Sequence, residues 1–132
     1  MKITIVQYIL ALVVFLICDG IWLGVVAKDL YAKYLGHLMT EQVIWTSAII
    51  FYLLFTAGLV VFVIQPHINA TYLTLGLYAA FFGLVTYATY DLTNLATLKD
   101  WPWQIVFIDI IWGMSIAVIT AVLTKYLMPL IS

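Results

Sequence analysis

Three aspartates lie inside or beside stretches of this chain that are otherwise apolar: Asp19, Asp91 and Asp109. On insertion scales an aspartate at the centre of a bilayer helix costs about 2.5–3.5 kcal/mol, so membrane helices keep one mainly where it faces a cavity or a partner. Buried carboxyl groups can bind cations, exchange hydrogen bonds or act as general acids and bases. Three of them in 132 residues predict a polar site inside a membrane bundle.

The three acids are predicted to lie at a common depth. Each is eight or nine residues from a charged residue that bounds the first or the third loop. At 1.5 Å per residue, each carboxyl group is roughly 12–14 Å along its helix from the same membrane face. Three helices would therefore bring Asp19, Asp91 and Asp109 to one level from one side.

Aromatic and amide residues accompany these acids at helical spacing. Trp22 and Trp112 each follow an aspartate by three positions, so each shares a helix face with its acid. We expect Asp19 and Asp109 to lie close enough to share a hydrogen bond, a water or a ligand. Asp91 and Asn94 would complete the pocket from the third helix, with Tyr87 and Trp112 as its floor. The predicted ligand-binding residues are Asp19, Asp91, Asp109, Asn94, Trp22, Trp112 and Tyr87.

Other kinds of site are not indicated. A single aspartate can be merely a hydrogen-bonded link between helices, and tryptophans pack in any core. His37 and His67 fall in loops on opposite faces, and Cys18 is in an apolar run. We therefore predict no metal and no cofactor. No catalytic residue is assigned.

Composition places the chain in a membrane. It is 67% hydrophobic and 8% charged, with a mean hydropathy of +1.18, whereas soluble domains have about 25% charged residues. The net charge is -1 and there is no arginine, which excludes the basic face that a nucleic-acid partner requires. The length indicates one domain, residues 1–132.

The predicted fold is an all-α membrane protein with four transmembrane helices. The segments of about 20 apolar residues that can span a bilayer are Ile3–Ala27, Val43–Ile64, Tyr72–Leu95 and Trp103–Leu127. An even number of crossings places both termini on one side. Between the first and second spans, Lys28–Met39 has the spacing of a short amphipathic helix.

Two local signals predict how these helices begin and pack. Thr40 is in position to cap the second spanning helix. Gly20 and Gly24 form a GxxxG motif on the first helix, and Gly113 with Ala117 forms a similar pair on the fourth. Such small residues let helix backbones approach closely in lipid.

Several longer strings carry a resemblance to a known family. They are LGHLM (Leu35–Met39), FYLLFTAGLVVF (Phe51–Phe62), YATYDLTNLATLKDWP (Tyr87–Pro102) and DIIWG (Asp109–Gly113). Over nearly its whole length the chain resembles a bacterial membrane family catalogued as domain of unknown function 2177. The resemblance implies a small integral protein of the bacterial inner membrane. It implies no particular activity.

The residues leave several functions open. The first hypothesis is a protein that binds a small molecule or a lipid headgroup in an acidic and aromatic pocket, in contact with membrane lipid. The second is a membrane enzyme that acts on a lipid through paired aspartates. The others are a proton- or cation-coupled carrier, which would be a homo-oligomer because four helices form only a thin pathway, and a scaffold without a ligand.

Overall fold

The computed structural model describes residues 2–131, which form five α-helices and no strand. The helices are α1 (Lys2–Ile21), α2 (Lys28–Leu35), α3 (Trp45–Leu59), α4 (Tyr72–Thr97) and α5 (Trp103–Ile131). Wider π-helical turns extend α1 over Trp22–Val26 and α3 over Val60–Ile64. A short 3-10 turn, Gly36–Leu38, follows α2.

Four of these helical segments are long and apolar enough to cross a membrane. With their π-helical extensions, the four are 25, 20, 26 and 29 residues long, and about 20 apolar residues suffice. The predicted fold, four spans with a short helix between the first and the second, is confirmed. The boundaries differ slightly, since α3 begins at Trp45 and α5 continues to Ile131.

Both ends of the described chain lie at the same end of the bundle. Ile131, the last residue of α5, shares a surface groove with Val6 and Leu10 near the start of α1. This is the arrangement that an even number of crossings predicts.

The connection between the first two spans is an amphipathic helix, as its spacing predicts. Charged side chains on α2, among them Lys28, Asp29 and Lys33, are exposed. The residues of its apolar stripe are half-buried: Leu30, Tyr31, Tyr34 and Leu35. The helix therefore lies with one side against the bundle.

The predicted cap on the second spanning helix is wrong. The Thr40 hydroxyl accepts a hydrogen bond from the Gln42 backbone N–H (3.2 Å) and donates one to the Gln42 carbonyl oxygen (3.1 Å). Threonine often forms such local turns in competition with capping, and α3 begins five residues later without a side-chain cap. Thr71 instead caps α4, since its hydroxyl oxygen accepts from the Thr74 backbone N–H.

Close packing is centred on α4 and α5. A Cβ atom added to Gly83 would overlap the Gly113 carbonyl group, and one added to Gly113 would overlap the ring of Tyr87. Small residues thus bring these two backbones together, as the pair beginning at Gly113 predicts. The GxxxG motif of α1 has no such role, because no atom lies within 4 Å of a Cβ built on Gly20 or Gly24. Both of these glycines are exposed.

We expect Gly83→Ala to destabilise the bundle. The added methyl group would collide with the backbone of α5, which cannot move aside as a flexible side chain can. Overpacking of this kind costs about 1–3 kcal/mol. Thermal unfolding in detergent micelles measures the loss.

Gly76→Ala is the matched control on the same helix. A Cβ there meets only Val118 Cγ1, at 4.0 Å, an ordinary van der Waals contact. The control should be as stable as the wild type or more stable, by up to about 1 kcal/mol, because alanine favours a helix. Equal unfolding temperatures for the two variants would contradict the packing described here.

Candidate functional site

A cavity of about 430 Å³ lies among all five helices. Five predicted site residues line it, namely Asp19, Trp22, Tyr87, Asp109 and Trp112. The remaining lining residues are Leu23, Tyr31, Phe51, Tyr52, Thr86 and Tyr90. Two carboxyl groups therefore stand in a wall that is otherwise largely aromatic.

Asp19 is a buried acid with both oxygens satisfied. The Tyr52 hydroxyl of α3 donates to Oδ2 at 2.7 Å, and the Trp112 indole of α5 donates to Oδ1 at 3.0 Å. Only 6% of the residue is exposed. Asp19 consequently links three helices through neutral donors.

Asp109 is held by the short helix. The Tyr31 hydroxyl of α2 donates to its Oδ1 at 2.7 Å, and the Trp22 indole N–H in turn donates to the Tyr31 oxygen at 3.1 Å. Burial raises the pKa of Tyr31 well above its ordinary value, and the nearby charge of Asp109 raises it further. Tyr31 therefore remains a neutral donor at any physiological pH.

The two tryptophans connect these two acid sites. Trp22 and Trp112 stack with ring centroids 4.4 Å apart and an angle of 6° between the rings. Trp22 follows Asp19 by three positions, and Trp112 follows Asp109 by three. Each indole N–H nevertheless interacts with the acid of the other helix. Trp112 donates directly to Asp19, and Trp22 donates to the Tyr31 hydroxyl, which in turn donates to Asp109. The acid sites of α1 and α5 are thus joined into one unit.

Tyr87 is positioned by the close contact between α4 and α5. Its ring lies where Gly113 has no side chain, and it meets the ring of Phe55 edge-on at 5.9 Å. A larger residue at position 113 would displace this part of the cavity wall. Helix packing and cavity shape therefore depend on the same glycine.

Asp91 and Asn94 do not line the cavity, which differs from the sequence expectation. Asp91 is 1% exposed and lies beside the carboxyl group of Asp109, enclosed between α4 and α5. No neighbouring side chain donates a hydrogen bond to either of its oxygens. Asn94, one turn later, approaches the Tyr90 hydroxyl. Helical spacing gave the correct face of α4, but the packing of α5 encloses Asp91 there.

Two lysines make their contacts away from the cavity acids. Lys33 lies over the ring of Tyr34 at 5.3 Å. Lys125 donates to the Ala70 carbonyl oxygen at the opposite end. Within residues 2–131, no lysine or histidine forms an ion pair with Asp19 or Asp109. The same residues contain no group of three or more His, Cys, Asp and Glu side chains placed to hold a metal ion.

Sequence reasoning missed Tyr31 and Tyr52 as the donors to the two acids. A tyrosine in an apolar span is itself a signal, because its buried hydroxyl group needs a partner. Tyr52 in α3 fits that signal, although the sequence does not say which acid it reaches. The spacing of α2 indicates only that Tyr31 belongs to its apolar stripe, where the residue is half-buried.

We expect Tyr31→Phe to destabilise the folded protein by about 1–3 kcal/mol, the cost of leaving buried polar groups without partners. The change removes the donor to Asp109 and the acceptor of the Trp22 indole N–H. Chemical unfolding in micelles measures it. Tyr126→Phe, at an exposed ring near the end of α5, is the matched control. Equal stability of the two variants would show that the hydrogen bonds of the Tyr31 hydroxyl do not stabilise the folded protein.

Comparison with known proteins identifies a family. The family model described as "Predicted membrane protein (DUF2177)" matches residues 4–126. No curated protein and no solved structure gives a significant match.

Proposed function

The chain belongs to this family of predicted membrane proteins, and we propose that it binds a small amphipathic molecule with a cationic group, such as a lipid headgroup, in the cavity described above. The ligand's positive charge would lie beside Asp19 and Asp109, and its apolar part would lie against the aromatic rings.

One observation carries the proposal: within residues 2–131, no lysine or histidine forms an ion pair with either cavity carboxyl group. In that part of the chain, the hydrogen bonds to Asp19 and Asp109 come from neutral hydroxyl and indole groups. Negative charge inside a bundle is favourable only where a positive charge or strong donors compensate it. The neutral donors compensate this charge in part, and a cationic ligand would supply the positive charge that residues 2–131 do not pair with these acids.

The remaining wall supports the same class of ligand. Aromatic rings attract cations through the negative face of the π-system, and tryptophan does so best. The rings available around the two acids are Trp22, Tyr31, Phe51, Tyr52, Tyr87, Tyr90 and Trp112. Pockets of about 300–1,000 Å³ hold small molecules, so 430 Å³ suffices for an alkylated ammonium group and a short chain.

The cavity is also accessible from the surface of the spanning helices. Leu23 and Phe51 line it and are exposed, at 45% and 44%. Both belong to segments long enough to cross the bilayer, so their exposed sides would face lipid. An amphipathic ligand could therefore enter sideways from the membrane, with its tail remaining in lipid.

We place this activity in the inner membrane of a bacterium. The support is the helical form of all four spans, since proteins of the bacterial outer membrane cross it as strands. Separation of inner and outer membranes followed by immunodetection tests the placement. Recovery of the protein in the outer-membrane fraction would contradict it.

We expect the purified protein to bind dodecyltrimethylammonium and to bind its uncharged isostere, in which carbon replaces the quaternary nitrogen, at least tenfold more weakly. Charge-assisted contacts contribute about 1.5–3 kcal/mol, and each 1.4 kcal/mol is about tenfold in affinity. Quenching of tryptophan fluorescence reports occupancy, because Trp22 and Trp112 line the cavity. Equal affinity for the two compounds would contradict a cation site.

Variants of the two acids locate the binding. Asp19→Asn and Asp109→Asn should each weaken dodecyltrimethylammonium binding at least tenfold. The matched control is Asp29→Asn, an exposed acid in the first turn of α2. Similar losses in all three variants would show that the compound binds through general surface charge rather than in the cavity.

The source of the ligand is a separate question with its own measurement. Choline carries the same cationic group without a tail, so tight choline binding would indicate a free metabolite. Binding that requires the dodecyl chain would indicate a lipid. Native mass spectrometry of gently purified protein would then identify any lipid or metabolite that remains bound.

A further inference from the structure

Asp91 is the least compensated polar group at this site. It is 1% exposed, and neither carboxyl oxygen receives a hydrogen bond from another side chain. The group facing it is the carboxyl of Asp109. Two carboxylates in contact repel, and each would also lack water, so such a pair is stable only when one member holds a proton.

The surroundings decide which member is ionised. Asp109 lines the cavity, and its Oδ1 already accepts a hydrogen bond from the Tyr31 hydroxyl. Asp91 is enclosed and has no such donor. Accepted hydrogen bonds favour the charged form of a carboxyl group, and burial without them favours the neutral form.

Within residues 2–131, no basic group forms an ion pair with either member of this pair. The titratable groups that face the pair from the packed elements are phenols: Tyr31 on α2, and Tyr87 and Tyr90 on α4. None of these phenols can supply a positive charge. The pair must therefore compensate itself.

We infer that Asp91 is a positioning residue that keeps its proton and donates it in a hydrogen bond to the carboxylate of Asp109. Asp109 then presents one negative charge to the cavity. This deepens the proposed function and rests on it for its second part, the binding of a cation. The shared proton itself does not depend on any ligand.

Infrared spectroscopy of the empty protein tests the shared proton. At neutral pH the wild type should show the C=O stretching band of a protonated carboxylic acid. Asp19→Asn should keep this band and Asp91→Asn should lose it. Absence of the band from the wild type, or its persistence in a folded Asp91→Asn variant, would overturn the inference and leave the cation site untouched.

The effect of pH on dodecyltrimethylammonium binding tests the positioning role. At low pH, a protonated Asp109 would have no negative charge to attract the quaternary ammonium group, so binding should weaken. Asp91→Asn keeps an N–H donor in the same place, so its pH profile should match that of the wild type. Asp91→Leu has no donor, and its loss of affinity should begin at a higher pH than that of the asparagine variant, because hydrogen bonds to a carboxylate favour its charged form.

The outcomes separate the two proposals. A carboxylic acid band without any cation binding would support the shared proton and contradict the proposed function. Cation binding with superimposable pH profiles for the leucine and asparagine variants would contradict the positioning role alone. Thermal unfolding of both variants verifies that they are folded. The asparagine variant is the folded reference, because asparagine is nearly isosteric with aspartate.

Discussion

The site depends on the need to compensate acids inside an apolar bundle. The chain has no arginine, and no lysine within residues 2–131 forms an ion pair with the cavity acids. The donors are therefore neutral ones carried on large rings, Tyr52 and Trp112 for Asp19 and Tyr31 for Asp109. A ring that brings a donor to a buried acid also occupies considerable volume. The same requirement consequently produces the aromatic wall and links α1, α2, α3 and α5.

Helix packing and site geometry are coupled through α4 and α5. Gly83 lets the two backbones touch, and Gly113 leaves room for the ring of Tyr87, which lines the cavity. The same approach encloses Asp91 beside Asp109. A change that separated these helices would therefore admit water to Asp91, and hydration would favour the charged form of its carboxyl group. Packing in this bundle sets electrostatics as well as stability.

Hydropathy and length sufficed to predict the four spans and the amphipathic α2, because the bilayer requires a continuous apolar run and tolerates little else. Equal spacing from the loops likewise predicted that Asp19 and Asp109 share a level, and both line one cavity. The sequence could not predict which donor serves which acid, since that depends on the rotation of each helix. Helix rotation explains two features that spacing alone did not predict: Trp112 of α5 donates to Asp19 of α1, and the GxxxG motif at Gly20 faces away from the other helices. Local spacing describes one helix and contains no information about its partner.

The cavity itself follows from a gradient of side-chain size between α1 and α5. Toward the end that holds both termini, the two helices contribute the fully buried Ala11 and Ala121 to one core cluster, where small side chains permit close approach. At the level of the acids, the interface instead contains the stacked rings of Trp22 and Trp112. Two indoles need more space than two alanines, so the side chains between α1 and α5 become larger from the end with both termini toward α2. The rings that donate to the acids, those of Tyr31, Tyr52 and Trp112, also line the cavity, so one set of side chains both satisfies the acids and forms the wall.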